Sequence, residues 1–246
     1  MEALAFLRGT DFAAAAGVAA LAGFLRGFVG VGSGMLMAPV FAVLFGPLAA
    51  VGMVVLLDAA ATLQLLPALW RRIAWREVLP MAAAAALAMP AGTRLLLAVE
   101  PRTMSRIIAA LVLGFVLILA AGWRWRGPRN TGVRLGVGAV SGVLAAATGM
   151  GNPPVIVYFL SGAGEAADHR ANFTGYFAVT LATLIAMMAA RGLFEETTLL
   201  RATGLSPCFL LATGFGGRVF LRASERRYRQ VALGLLFAAG LYGLLR

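Results

Sequence analysis

Asp58 lies inside 48-LAAVGMVVLLDAAATLQLLPALW-70, and it alone among the ten acidic residues is not near the edge of an apolar run. A carboxylate in such a setting is costly, and by default it marks a functional site. Low dielectric disfavours the charged form of a carboxyl group, which suits a group that takes up and releases a proton. The rival reading is a structural ion pair, for which Arg26 is an available partner. Arg26 stands four residues before Gly30 and has two readings of its own. It either neutralises an anionic ligand or snorkels toward the membrane surface.

Just beyond Arg26 the stretch 27-GFVGVGSGMLMAP-39 places four glycines in eight residues and then a proline, at one of the most apolar points of the chain. The later stretch 149-GMGNPP-154 repeats that pattern. In lipid, irregular backbone is tolerated only where protein or a water-filled cavity shields it. Helices starting near Gly34 and Pro153 present unpaired N–H groups and positive dipole ends. Ser33 and Asn152 are expected at the N-cap positions, with a hydroxyl and an amide free for a ligand. Pro153 and Pro154 fit a first helical turn, where a missing donor costs little. This constellation suits an anion. Close helix packing through small residues is the alternative.

The elements that must hold these groups are membrane helices. The chain has 246 residues, 61% of them hydrophobic and 13% charged, against roughly 25% charged in a soluble domain. Runs such as 105-SRIIAALVLGFVLILAAGW-123 are long enough to span a bilayer, which takes about 20 residues. They lack the alternation of barrel strands. The expected fold is therefore an all-α polytopic membrane protein. The net charge of +11 comes from 21 arginines with no lysine. These arginines cluster at the ends of apolar runs, which indicates orientation in the bilayer and contact with anionic lipid rather than nucleic acid. One cysteine, Cys208, and one histidine, His169, leave no intramolecular disulfide and little scope for a metal centre. No cofactor, metal site or catalytic residue is expected. The start MEALAFLRGTDF lacks a signal-peptide pattern, so residues from about 11 onward are taken as the first membrane segment.

Gly, Pro and charge divide the chain into ten helical stretches, near 11–29, 34–46, 48–70, 78–99, 104–123, 134–148, 153–163, 170–190, 197–220 and 228–245. The second and seventh are too short to cross and read as broken or re-entrant pieces. An offset of 119 residues lays Gly23, Leu25, Gly30 and Gly32 on Gly142, Leu144, Gly149 and Gly151. An offset of 124 lays Gly92, Arg94 and Arg102 on Gly216, Arg218 and Arg226. Two blocks in the same order indicate a duplicated unit of five segments. The division is 11–123 for the first repeat, 124–133 for a basic linker and 134–246 for the second repeat. An odd number of segments inverts the second copy. Basic loops at 71–77, 124–134 and 222–229 would then lie in the cytoplasm and both termini outside. Paired breaks point to a site near the bilayer midplane, where the two repeats meet.

The runs 22-AGFLRGFVGVGSGMLMAP-39, 70-WRRIAWREVLPMAAAAALAMPAGTRLL-96 and 141-SGVLAAATGMGNPPVIVYFL-160 resemble the TauE/SafE sulfite exporter family, also called the 4-toluene sulfonate uptake permease family. The resemblance covers nearly the whole chain. It implies a secondary transporter of sulfite, sulfonates, sulfoacetate or other small organic anions, driven by the proton gradient, in a bacterial-type plasma (inner) membrane. The family's glycine-rich breaks carry over to Gly30, Gly32, Gly34, Gly149 and Gly151. Ser33 stands where a further glycine is common, and Arg26 departs from the usual small or apolar residue.

The expected substrate site comprises Gly30, Gly32, Ser33, Gly34, Gly149, Gly151, Asn152, Pro153 and Arg26, with Asp58 for proton coupling. Gln64, Tyr158, Asn172, Thr174 and Tyr176 are polar groups on apolar segments, and candidates for lining the cavity. The stretch 162-GAGEAADHRANFTG-175, with His169 and Arg170, reads as a solvated interfacial loop. Arg94 and Arg218 read as anchors. An anion channel is the main alternative. An intramembrane serine protease is disfavoured, because Val31 occupies the glycine position such a site requires and His169 falls in a loop. A homo-oligomer stays open.

Overall fold

The computed structural model describes residues 10–121, 125–150, 152–162 and 165–220. Among the described residues there are nine α-helices and no strand. They are α1 Thr10–Val29, α2 Ser33–Phe45, α3 Pro47–Leu69, α4 Trp75–Ala98, α5 Pro101–Ala120, α6 Thr131–Thr148, α7 Asn152–Leu160, α8 Ala166–Ala190 and α9 Glu196–Phe220. A single 3-10 turn, Trp70–Arg72, follows α3. The expected segment 228–245 and the basic loop 222–229 lie outside the described residues, as does Gly151.

Local chemistry sets these boundaries. Gly46 and Pro47 start α3, with proline where no donor is needed. The Asn130 side chain accepts the Val133 N–H at 2.9 Å and caps α6. Glu165 and Asp168 form a reciprocal capping box, so α8 begins at Ala166. His169, Arg170, Asn172 and Thr174 are therefore helical, and the loop expected over 162–175 is shorter than the sequence indicates. Both glycine breaks use one device. Gly30 and Gly149 adopt φ of +86° and +74°, and their N–H groups bond to Arg26 O and Ala145 O at 2.9 Å. Such a left-handed turn closes a helix at little cost only with glycine.

Six helices are long and apolar enough to cross a membrane: α1, α3, α4, α5, α6 and α8. The 25-residue α9 is diluted by Thr, Ser, Gly and Pro207 and falls outside that group. With 13 and nine residues, α2 and α7 reach about 20 Å and about 14 Å, short of a hydrocarbon core of about 30 Å. Large apolar side chains face outward at Leu63, Leu87, Leu117, Leu211 and Phe215, while Arg26, Ser33, Asp58 and Thr174 are buried. Apolar surface outside and polar groups inside is the arrangement a lipid solvent requires.

Glycine sets the closest approaches. Along the seam between α1 and α9, Gly23 and Gly27 lie against the backbone of Phe209 and Thr213, and Gly216 against that of Phe24. Along the seam between α4 and α6, Gly142 lies against Ala85 and Gly92 against Val143. A Cβ at any of these positions would run into a backbone carbonyl. The helices α3 and α8 pack together at the centre, α3 also touching α9 and α8 touching α4. Next to them, α2 packs on α3 and α7 on α6.

The segment between α5 and α6 is held in place. Trp125 N–H donates to Ser161 Oγ at 2.6 Å. Arg129 lies over the Tyr158 ring at 4.5 Å and pairs with Glu77 at 3.8 Å. Arg134 pairs with Glu77 at 3.7 Å and donates to the Tyr158 hydroxyl at 3.1 Å.

Candidate functional site

The last turn of α1 carries Arg26 inward, because the break at Gly30 ends that helix inside the protein. Arg26 is fully buried and does not reach the membrane surface. Its Nη1 donates to Gly30 O and its Nη2 to Thr62 Oγ1 at 2.7 Å. The guanidinium carbon sits 4.1 Å from the centre of the Phe177 ring, a favourable cation–π placement. Thr62 is one helical turn beyond Asp58 on α3 and donates to the Asp58 carbonyl at 2.7 Å.

Asp58 is also buried. Its Oδ1 accepts from Ser33 Oγ at 2.5 Å and lies 3.9 Å from Arg26 Nε. That Nε makes no hydrogen bond. Arg26 and Asp58 thus stand together, but loosely, with a serine from α2 closing on the carboxylate. A buried pair of this kind adds little net stability, whereas loss of one partner strands the other charge.

Beside Asp58 lies a small cavity of about 20 Å³, which has room for about one water. Asp58 and Val55 of α3, Met89 of α4, Ala145 of α6, Gly149, and Tyr176 and Thr180 of α8 face it. Tyr176 donates its hydroxyl to Ser141 at 2.7 Å, and Thr180 donates to Tyr176 O at 2.8 Å. The two breaks touch here, since a Cβ on Gly34 would meet Gly149 O.

The structure therefore brings together Arg26, Gly30, Ser33, Gly34, Asp58, Gly149 and Tyr176. Pro153 is buried in the first turn of α7. Gly32 is the N-cap of α2, with φ of +97° and open space around it. Ser33 is consequently not the cap that was expected. It is the first helical residue, and its hydroxyl is engaged by Asp58 rather than free for a ligand. Asn152 begins α7, while its side chain and Gly151 lie outside what is described.

Four of the expected lining residues are elsewhere. Gln64 is exposed. Tyr158 faces Arg129 and Arg134, not the cavity. The Asn172 side chain accepts the Ala74 N–H at 2.8 Å and so anchors the start of α4. Thr174 bonds back to Arg170 O at 3.0 Å within its own helix. Sequence reasoning missed Thr62, Ser141, Phe177 and Thr180. Thr62 was findable, because four residues past Asp58 is the same helix face. Among the described residues, no three or more His, Cys, Asp or Glu side chains group closely enough to hold a metal.

The chain matches the family model described as Sulfite exporter TauE/SafE over residues 15–243. Comparison with curated proteins and with solved structures gives no significant match. A family match across nearly the whole chain, helices fit to span a bilayer and a buried polar site agree with one another: the protein belongs to the TauE/SafE family of membrane sulfite and anion exporters.

Proposed function

We propose that the protein is a secondary active transporter of small organosulfur anions, of the sulfite, sulfonate or sulfoacetate class, driven by protons across a bacterial-type inner membrane. The observation that carries this reading is the Arg26–Asp58 pair, fully enclosed at a glycine break and next to a cavity. A cation offers charge for an anion, and a carboxyl group beside it offers a place for a proton. The substrate site extends from Gly30–Gly34 to Gly149–Pro154, including Gly151 and Asn152, with Asp58 as the proton carrier.

Alternating access comes from one repeat rocking against the other, units 11–123 and 134–246 being inverted copies joined by the cytoplasmic linker 124–133. The glycine seams support the duplication. Gly23 against Phe209 and Gly142 against Ala85 are one contact made twice, at the offsets of 119 and 124 residues seen in the sequence. Gly216 against Phe24 and Gly92 against Val143 repeat at the same offsets. The short helices α2 and α7 are the re-entrant pieces of the two copies. A cavity with room for about one water favours a carrier over a channel, since a channel needs a continuous path.

The test is flux in proteoliposomes across sulfite, sulfate, thiosulfate, sulfoacetate and a carboxylate control, with and without an imposed pH gradient. Uphill, pH-dependent movement of a sulfur anion is expected. Downhill leak alone sinks the carrier reading in favour of a channel, and no flux of any anion returns the glycine breaks to simple helix packing.

A further inference from the structure

Charge balance at the site specifies what it can carry. Among the described residues, Arg26 and Asp58 are the only charged side chains that are buried, and as a pair they balance each other. The neighbours on every packed element add no second proton acceptor. Ser33 of α2 donates to Asp58. Thr62 of α3 is engaged by both members of the pair. Tyr176 of α8 is bonded to Ser141 of α6. Arg170 of α8 lies over Gly30, half-buried and near enough for its charge to act on Arg26, but it does not line the cavity. Met89 of α4, Ala145 of α6 and Thr213 of α9 do not titrate in the physiological range.

The cavity is lined by Asp58, not by Arg26. An incoming anion therefore meets a carboxylate first. It reaches the guanidinium only if that carboxylate has lost its charge. Arg26 is ready for such an exchange, because its Nε is without a hydrogen bond and its contact with Asp58 is loose at 3.9 Å. A planar guanidinium with unfilled donors matches the oxygens of a sulfonate or sulfite group.

We propose that Asp58 is the built-in counter-anion of Arg26 and that the substrate takes its place: one proton neutralises Asp58 as one singly charged anion occupies the guanidinium, so that proton and anion cross together with no net charge. The inference rests on the transport reading above and narrows it. The proton comes from the bulk on the loading side, and it leaves Asp58 when the anion departs on the other. A doubly charged anion would bring one negative charge more than Asp58 gives up, so the exchange would not balance in a low-dielectric interior. Singly charged hydrogen sulfite and simple sulfonates are therefore accepted, while sulfate, thiosulfate and fully ionised sulfoacetate are rejected.

The experiment uses the full chain in proteoliposomes, with protein-free vesicles as the blank. The probes are sulfite, methanesulfonate, isethionate, sulfate, thiosulfate and sulfoacetate, under a fixed pH gradient and with the membrane potential clamped by potassium and valinomycin. The expected result is accumulation of a singly charged anion by about tenfold per unit of pH difference, the limit for one proton per anion, and unchanged by the clamped potential. Asp58→Asn is expected to exchange labelled for unlabelled anion at a rate that no longer follows pH. Accumulation that tracks the potential, a doubly charged anion as the preferred cargo, or pH-driven accumulation in Asp58→Asn overturns this proposal alone. If no anion accumulates under any gradient, the transport reading falls with it. The potential dependence is read on the wild-type protein, so the outcome does not depend on a variant that folds.

Discussion

Around Gly30 the chain places Arg26, Ser33, Asp58 and Thr62, and 119 residues later, around Gly149, it places Ala145, Asn152, Phe177 and Leu181. The two backbones end their helices in the same way, with a left-handed glycine bonded to the carbonyl four residues back. The side chains differ in kind. One set is an ion pair with two hydroxyls, while Ala145, Phe177 and Leu181 are apolar and line the cavity that Asp58 faces. One cavity thus has a carboxylate wall at Asp58, with Arg26 behind it, and an apolar wall at Ala145, Phe177 and Leu181. Tyr176 and Thr180 add hydroxyls from the second half. The backbone shape occurs twice, but among the described residues the buried ion pair occurs once. A second buried pair would double the desolvation cost, and a single pair confines that cost to one place.

The sharpest way to break this comparison is at the ion pair. Arg26→Gln strands Asp58 in the interior and is expected to lower stability by about 3–5 kcal/mol, seen as a lower thermal midpoint in detergent. The double variant Arg26→Gln/Asp58→Asn should recover most of that loss, and a double-mutant cycle without coupling would show that the pair does not hold together. Next come the seams. Gly23→Val and Gly142→Val each drive a side chain into a facing carbonyl, with an expected cost of about 1–3 kcal/mol. The two values should agree; a large loss from only one would mean that the halves are not packed equivalently. Smaller still are the breaks themselves. Gly30→Ala and Gly149→Ala should each cost about 1–2 kcal/mol for the left-handed backbone, despite the contrast in their side-chain surroundings. At the bottom of the scale, Gln64→Ala should stay within about 0.5 kcal/mol and leave flux unchanged, because Gln64 is exposed.

Much of the architecture was legible because glycine and proline act locally. Gly30, Gly32, Gly46 and Gly149 mark helix ends within a residue or two of where they fall. The start of α8 was obscured because 162-GAGEAADHRANFTG-175 is polar in composition, although Glu165 and Asp168 at capping-box spacing carried the signal. Within the site, Asp58 declared itself by its cost, and Arg26 was its available partner. Helix geometry separates the remaining polar groups better than polarity does. Thr62, four residues from Asp58, shares its face, whereas Gln64, six residues on, is turned away. Asn172 and Thr174 were read as cavity lining for another reason: polarity alone does not tell a ligand contact from a buried side chain that serves backbone groups. Phe177 carries no sequence signal for its role, since only folding brings its ring under a guanidinium.

The interlocked seams have a consequence for how the chain is made. Between the end of α1 and the start of α9 lie more than 160 residues, which a ribosome adds in about 8–33 s at 5–20 residues per second. Through that interval the notch formed by Gly23 and Gly27 has no partner, and the same is true of Gly92 until α6 emerges. The glycine seams of the nascent first half therefore stay open in the bilayer, and they close only when the second half arrives to fill the notches.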